Sequence, residues 1–129
     1  MFDINTKKDV ISTLENILLS IQLIQDRFSS IECSDDFFNN KVGLEHLDSI
    51  SMRLIAIGEG FKSIDKLTSN QLLKQYSEID WRGIKGIRDK LSHHYFDIDS
   101  EIIFDICDTN IEDLFEITNK ILNDILKTS

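Results

Sequence analysis

The sequence predicts an all-α protein, an antiparallel bundle of four to six amphipathic helices. Three observations point there. The 129 residues contain no proline and only five glycines, so the dense turn signals of an all-β chain are missing. Apolar residues recur at steps of three and four through most of the chain. Strand-like patterning is weak throughout, and "EIIFDIC" (101–107) is the one stretch that competes with a helical reading.

The first helix is expected over Lys7 to Phe28, where Val10, Leu14, Ile17, Ile21, Ile24 and Phe28 form one stripe. Asn5 or Thr6 is the expected cap. "SSIECSDD" reads as a loop, with Ser34 or Asp35 capping a second helix over Asp36 to Ile64. Leu47, Ile50, Leu54, Ile57, Phe61 and Ile64 line its main face, and Met52, Ile55 and Ala56 widen the apolar surface. A helix apolar over that much of its circumference is buried on more than one side, and a partner subunit could supply the second. Gly58 and Gly60 lie inside this helix at a cost of about 1 kcal/mol each relative to alanine. Close backbone packing, a local bend or simple tolerance would each account for them.

A short third helix is expected after Thr68 or Ser69. Asp80 caps a fourth, whose core stripe is Trp81, Ile84, Ile87 and Leu91. Asp99 or Ser100 caps a C-terminal helical section carrying Ile102, Ile103, Ile106, Ile111, Leu114, Ile117, Ile121 and Ile125, with a kink or break near "CDTN" (107–110). Residues 1–129 are read as one domain. No apolar run approaches the ~18 residues of a membrane span, and no secretory leader is recognisable, so the cytoplasm is the expected compartment and no membrane partner is expected. Cys33 and Cys107 are far apart in the chain, lack the spacing of a zinc site and are expected to be reduced. No metal and no cofactor is implied.

The formal net charge of −9 weighs against broad nucleic-acid binding, which rests on basic surface. The charge is segregated, however. Between Trp81 and His94 stand Arg82, Lys85, Arg88 and Lys90 against Asp89 alone, and Asp97, Asp99, Glu101, Asp105 and Asp108 follow with no cation among them. Such a patch is either a solvated helix face or an interaction surface.

The stretch "WRGIKGIRDKLSHHYFD" (81–97) also concentrates chemistry. Histidine titrates near neutrality and can move a proton. Arginine presents a planar fork that matches phosphate oxygens. Together they suffice for metal-independent RNA cleavage, with the ribose 2′-OH as nucleophile. The bland reading is a helix end, where arginine and histidine favour the dipole and cap carbonyls. On a regular helix Arg88 and His93 lie about 140° apart. They meet only if the helix loosens after Leu91 or if a second copy supplies one of them. His46 and Glu59 are read as structural or surface residues.

The longer string "WRGIKGIRDKLSHHYFDID", with "RLIAIGEGFKSI" (53–64) upstream, resembles the HepT-like family of HEPN-domain proteins. The match runs through Trp81, Arg82, Ile84, Gly86, Arg88, Asp89, Leu91, His93, Tyr95, Phe96, Ile98 and Asp99, and Gly60 stands where the family usually has alanine. The resemblance implies a HEPN-type bundle, homodimeric, with the Arg-x-x-x-x-His motifs of both subunits near one cleft. It implies a toxin of a toxin–antitoxin module that acts as an endoribonuclease. Arg88 and His93 would be its catalytic pair, with Asp89 and His94 in supporting positions. The partner it implies is a minimal nucleotidyltransferase (MNT) antitoxin, which in some modules adenylylates the tyrosine corresponding to Tyr95. Two other readings stay open: a non-catalytic module whose cleft holds a nucleotide or only the partner protein, and an oligomerisation domain without a site.

Overall fold

The computed structural model describes residues 3–91 and 99–128, and no strand occurs among them. The chain forms α1 (Ile4–Phe28), a 3-10 turn (Ser34–Phe38), α2 (Lys41–Leu67), a 3-10 turn (Leu73–Gln75), α3 (Trp81–Lys85), α4 (Ile87–Leu91), α5 (Ser100–Asp105), a π turn (Ile106–Asn110) and α6 (Ile111–Lys127). Among the described residues it is an all-α bundle, as expected.

The expected stripes are the core. Val10, Leu14, Ile17, Ile21 and Ile24 of α1 are buried, as are Leu47, Ile50, Leu54, Ile57, Phe61 and Ile64 of α2 and Ile111, Leu114, Ile117, Ile121 and Ile125 of α6. α1 and α2 run antiparallel, so Gly60 late in α2 lies against Ile17 of α1. The end of α6 returns to the start of α1, where Lys7 Nζ donates to the carbonyl of Thr128. Ser51, Thr68 and Thr118 are buried, and each hydroxyl donates to a carbonyl one turn earlier, at 2.6, 2.8 and 2.6 Å. No buried hydroxyl among these three is left unsatisfied.

Helix boundaries depart from expectation where short polar side chains compete for backbone donors. Asp3, not Asn5 or Thr6, caps α1 by accepting from Thr6 N at 2.7 Å. The second helix does not start at Asp36. The Asp36 carboxylate accepts from the backbone of Glu32 and Cys33 at 2.8 and 3.2 Å and holds the loop instead. These two bonds hold its pKa below the ordinary value. Asn40 then caps α2 by accepting from Gly43 N at 2.8 Å.

The expected third helix is only a 3-10 turn. Ser69 and Asn70 take left-handed backbone at φ 53° and 62°, and Asn70 N closes the end of α2 by donating to Asp65 O at 2.8 Å. The "EIIFDIC" stretch is helical, and the kink expected near "CDTN" is the π turn. Met52 is 66% exposed and Ala56 is exposed, so the second side of α2 is open among the described residues. No helix among the described residues is long and apolar enough to cross a membrane.

Candidate functional site: the α3–α4 segment

The segment that carries the predicted motif begins at Asp80. Its side chain caps α3 by accepting from Gly83 N at 3.1 Å. Trp81, the first helical residue, is half-buried. Its indole N–H donates to the carbonyl of Tyr76 at 2.7 Å, and its ring tilts against Phe61 of α2 with centroids 4.8 Å apart. The expected single helix is broken in two at Gly86. Ile87 and Leu91 reach the core, while Trp81 and Ile84 pack at its edge. Only four of the ten helical residues on this segment belong to that stripe, so its seating depends on a few contacts.

One of those contacts explains Gly58. A Cβ there would stand 2.7 Å from the carbonyl oxygen of Ile84 and 3.0 Å from Ile87 Cγ2. The backbone of α3 approaches α2 at a distance that excludes any side chain at position 58. Close packing is therefore the reason for this glycine. Another contact is ionic: Lys85, the last residue of α3, pairs with Asp65 of α2. The far end of the segment is tied by the backbone N–H of Asp99, which donates to the carbonyl of Leu91 at 3.0 Å. Asp99 also caps α5, accepting from Glu101 N and Ile102 N at 3.2 and 3.1 Å.

Arg88 lies on this anchored frame, one residue past Ile87, and is exposed, as is Asp89. His93, His94 and Tyr95 lie outside the described residues, so the meeting of Arg88 and His93 is not placed. The loosening after Leu91 that their pairing calls for also lies outside the described residues, and the break at Gly86 precedes both residues and does not bring them together. A cleft of about 200 Å³ opens beside α4 and is lined by Ile79, Gly83, Ile87, Lys90, Ile106 and Asp113. Arg88 is not part of that lining.

Other predicted residues fall where sequence reasoning put them. Glu59 is exposed and pairs with Lys62 at 3.3 Å, both about half exposed. His46 is half-buried, and its Nδ1 has no hydrogen-bond partner among the described residues. Cys33 is exposed and Cys107 buried, both as free thiols, and burial pushes the Cys107 thiol up to about 12. Among the described residues no three His, Cys, Asp or Glu side chains gather as a metal-ligand set.

Two features gave no local signal. The Asp65–Lys85 pair spans twenty positions. The Tyr76 hydroxyl donates to Asp124 at 2.7 Å across forty-eight.

The chain belongs to the ribonuclease HepT-like family, whose model matches residues 17–121. A Methanocaldococcus jannaschii protein named "Putative RNase MJ0127" is 34% identical over 119 residues, covering 92% of this chain and 84% of the relative. A Thermococcus cleftensis protein named "Probable ribonuclease HepT" is 33% identical over 91 residues, 70% of this chain and 76% of its own length. A Caldanaerobacter subterraneus protein named "Putative RNase TTE0752" is 31% identical over 110 residues, 84% of this chain and 90% of its own. No solved structure matches the chain at a significant level.

Proposed function

We propose that this chain is a metal-independent endoribonuclease and the toxin of a HEPN/MNT toxin–antitoxin pair. One observation carries the reading: in a ribonuclease HepT-like chain, Arg88 stands exposed on a helix whose other contacts anchor it to the core. Arg88 holds the scissile phosphate and offsets charge that develops on its oxygens. His93, two positions beyond Leu91, takes the proton of the ribose 2′-OH or returns one to the leaving 5′-oxygen. The 2′-oxygen attacks phosphorus as the P–O5′ bond breaks, so no water or metal enters this step. Asp89 and His94 support the pair. RNA is selected because DNA has no 2′-OH.

The chain acts as a cytoplasmic homodimer of one domain per subunit, the second motif completing the cleft. The open side of α2, with Met52 exposed, supports a partner copy there. Neutralisation follows if the MNT antitoxin transfers AMP from ATP to the Tyr95 hydroxyl, releasing pyrophosphate. The added phosphate is negative, and beside Arg88 and His93 it competes with the phosphodiester.

Expression of the wild-type chain is expected to arrest growth and to cleave RNA, while Arg88→Ala and His93→Ala are tolerated and still fold. Equal toxicity of His93→Ala and wild type would remove the catalytic assignment. With the antitoxin and ATP, the chain should gain mass in AMP units, and a gain that survives Tyr95→Phe would remove that site.

A further inference from the structure

α3 and α4 are five residues each. Helices this short do not hold themselves, since even helices of ~12 residues are marginal in isolation. Their direction is set by what they touch. Most of those contacts are apolar: Phe61 against Trp81, and Ile87 and Leu91 in the core. Apolar contacts are non-directional and permit a short helix to turn about its axis. The indole hydrogen bond of Trp81 fixes only the start of α3.

At the other end, next to the Gly86 break, the directional contact is Lys85–Asp65. Asp65 is the one charged residue among the buried polar residues of the described chain. Its side chain is 12% exposed and that of Lys85 30%. A carboxylate withdrawn from water this far is costly unless paired. Lys85 is its one side-chain partner among the described residues. Arg88 follows three residues later, across the break.

We infer that Asp65 and Lys85 are positioning residues, whose ion pair locks the end of α3 at the Gly86 break and so sets the direction of Arg88. The inference rests on the ribonuclease reading above for what Arg88 is aimed at. It does not rest on it for whether the clamp holds α4. Without the pair, the Gly86 junction loses its charged contact with α2, and Arg88 shifts within the slack that the core contacts of Ile87 and Leu91 and the Asp99–Leu91 bond leave. A misplacement of about 1 Å can cost about 100-fold in rate.

The test uses the full chain with Asp65→Asn, Lys85→Arg and the double variant Asp65→Asn/Lys85→Met, which removes both charges and leaves no orphaned carboxylate. Two readouts are taken. In native-state hydrogen exchange, the amides of residues 87–91 should exchange about tenfold faster in Asp65→Asn and in the double variant. Those of α1 should be unchanged, and Lys85→Arg should match wild type. In RNA cleavage, the same two variants should lose about tenfold or more, Lys85→Arg should keep its rate within about threefold, and Asp65→Asn should add no loss to Arg88→Ala.

Unchanged protection at 87–91 in both charge-removing variants overturns the clamp. A further loss on top of Arg88→Ala, equal to that in wild type, overturns the route through Arg88. A wild-type chain that cleaves no RNA removes the ribonuclease reading instead, and the exchange measurement then decides the clamp alone.

Discussion

Replacing Gly58 by alanine sets two opposed effects against each other on one helix. Bare helix propensity favours alanine by about 1 kcal/mol. Sterics oppose it. The new Cβ would lie 2.7 Å from the Ile84 carbonyl oxygen, and ordinary contact begins near 3.4 Å, so α3 must retreat by 0.7 Å (3.4 − 2.7). The obstacle is backbone on a segment held by Trp81, Lys85 and the core, so it does not yield cheaply. Overpacking of this kind costs typically about 1–3 kcal/mol. Taking about 2 for the clash and subtracting about 1 for propensity leaves a net loss of about 1 kcal/mol, or about 4 °C in Tm for a chain of this length.

Gly60 is the internal control. There the Cβ would meet Ile17 Cδ1 at 2.9 Å and Cγ1 at 3.0 Å. Both obstacles are side-chain atoms of Ile17, which yield more readily than backbone, so propensity should offset the clash and Gly60→Ala should be neutral or stabilising by up to about 1 kcal/mol. Urea titration of both variants, read as midpoint shifts at constant slope, measures the two signs. If Gly58→Ala is as stabilising as Gly60→Ala, the close approach of α3 to α2 is not real and the anchoring argument fails with it.

Acid stability should depend on Asp36. Its folded pKa is lowered, first by the Glu32 and then by the Cys33 backbone N–H, so the unfolded chain binds a proton more readily. Its contribution is present above the unfolded value near 3.8 and fades as pH falls through the lower folded value. Wild type should therefore lose more urea stability than Asp36→Asn between pH 5 and pH 2.5, and parallel profiles would refute this. Thiol titration of the native chain at pH 8 should show one fast cysteine, the exposed Cys33, because the Cys107 thiol is buried and its pKa raised; two fast thiols would contradict that burial. Tyr76→Phe removes the hydrogen bond to Asp124 and should cost about 0.5–1.5 kcal/mol. The matched loss should vanish in an Asp124→Ala/Tyr76→Phe cycle if the bond is the cause, because alanine leaves no side-chain acceptor, and an equal loss in both backgrounds would place the cause elsewhere.

What the sequence made legible here is what repeats locally. Ile17 to Ile24, Leu47 to Ile64 and Ile111 to Ile125 were readable because a stripe at helical spacing needs no knowledge of its partner. The stripe of Trp81, Ile84, Ile87 and Leu91 was readable for the same reason, and Arg88, outside it, is exposed. The partner of a charge is another matter. Nothing near Asp65 marks it as the mate of Lys85, since the pairing is set by how α3 crosses α2.

Among the described residues no glycine takes positive φ, while Ser69 and Asn70 do. The turn after α2 is made by residues that pay for the left-handed conformation, Asn modestly through its short polar side chain and Ser at roughly 1–2 kcal/mol. Closing the end of α2 through Asn70 N and Asp65 O offsets that cost. The glycines serve proximity instead, because a missing Cβ at position 58 is what lets the backbone of α3 settle on α2. Asp65 takes part in both arrangements, its carbonyl in the turn and its carboxylate in the ion pair.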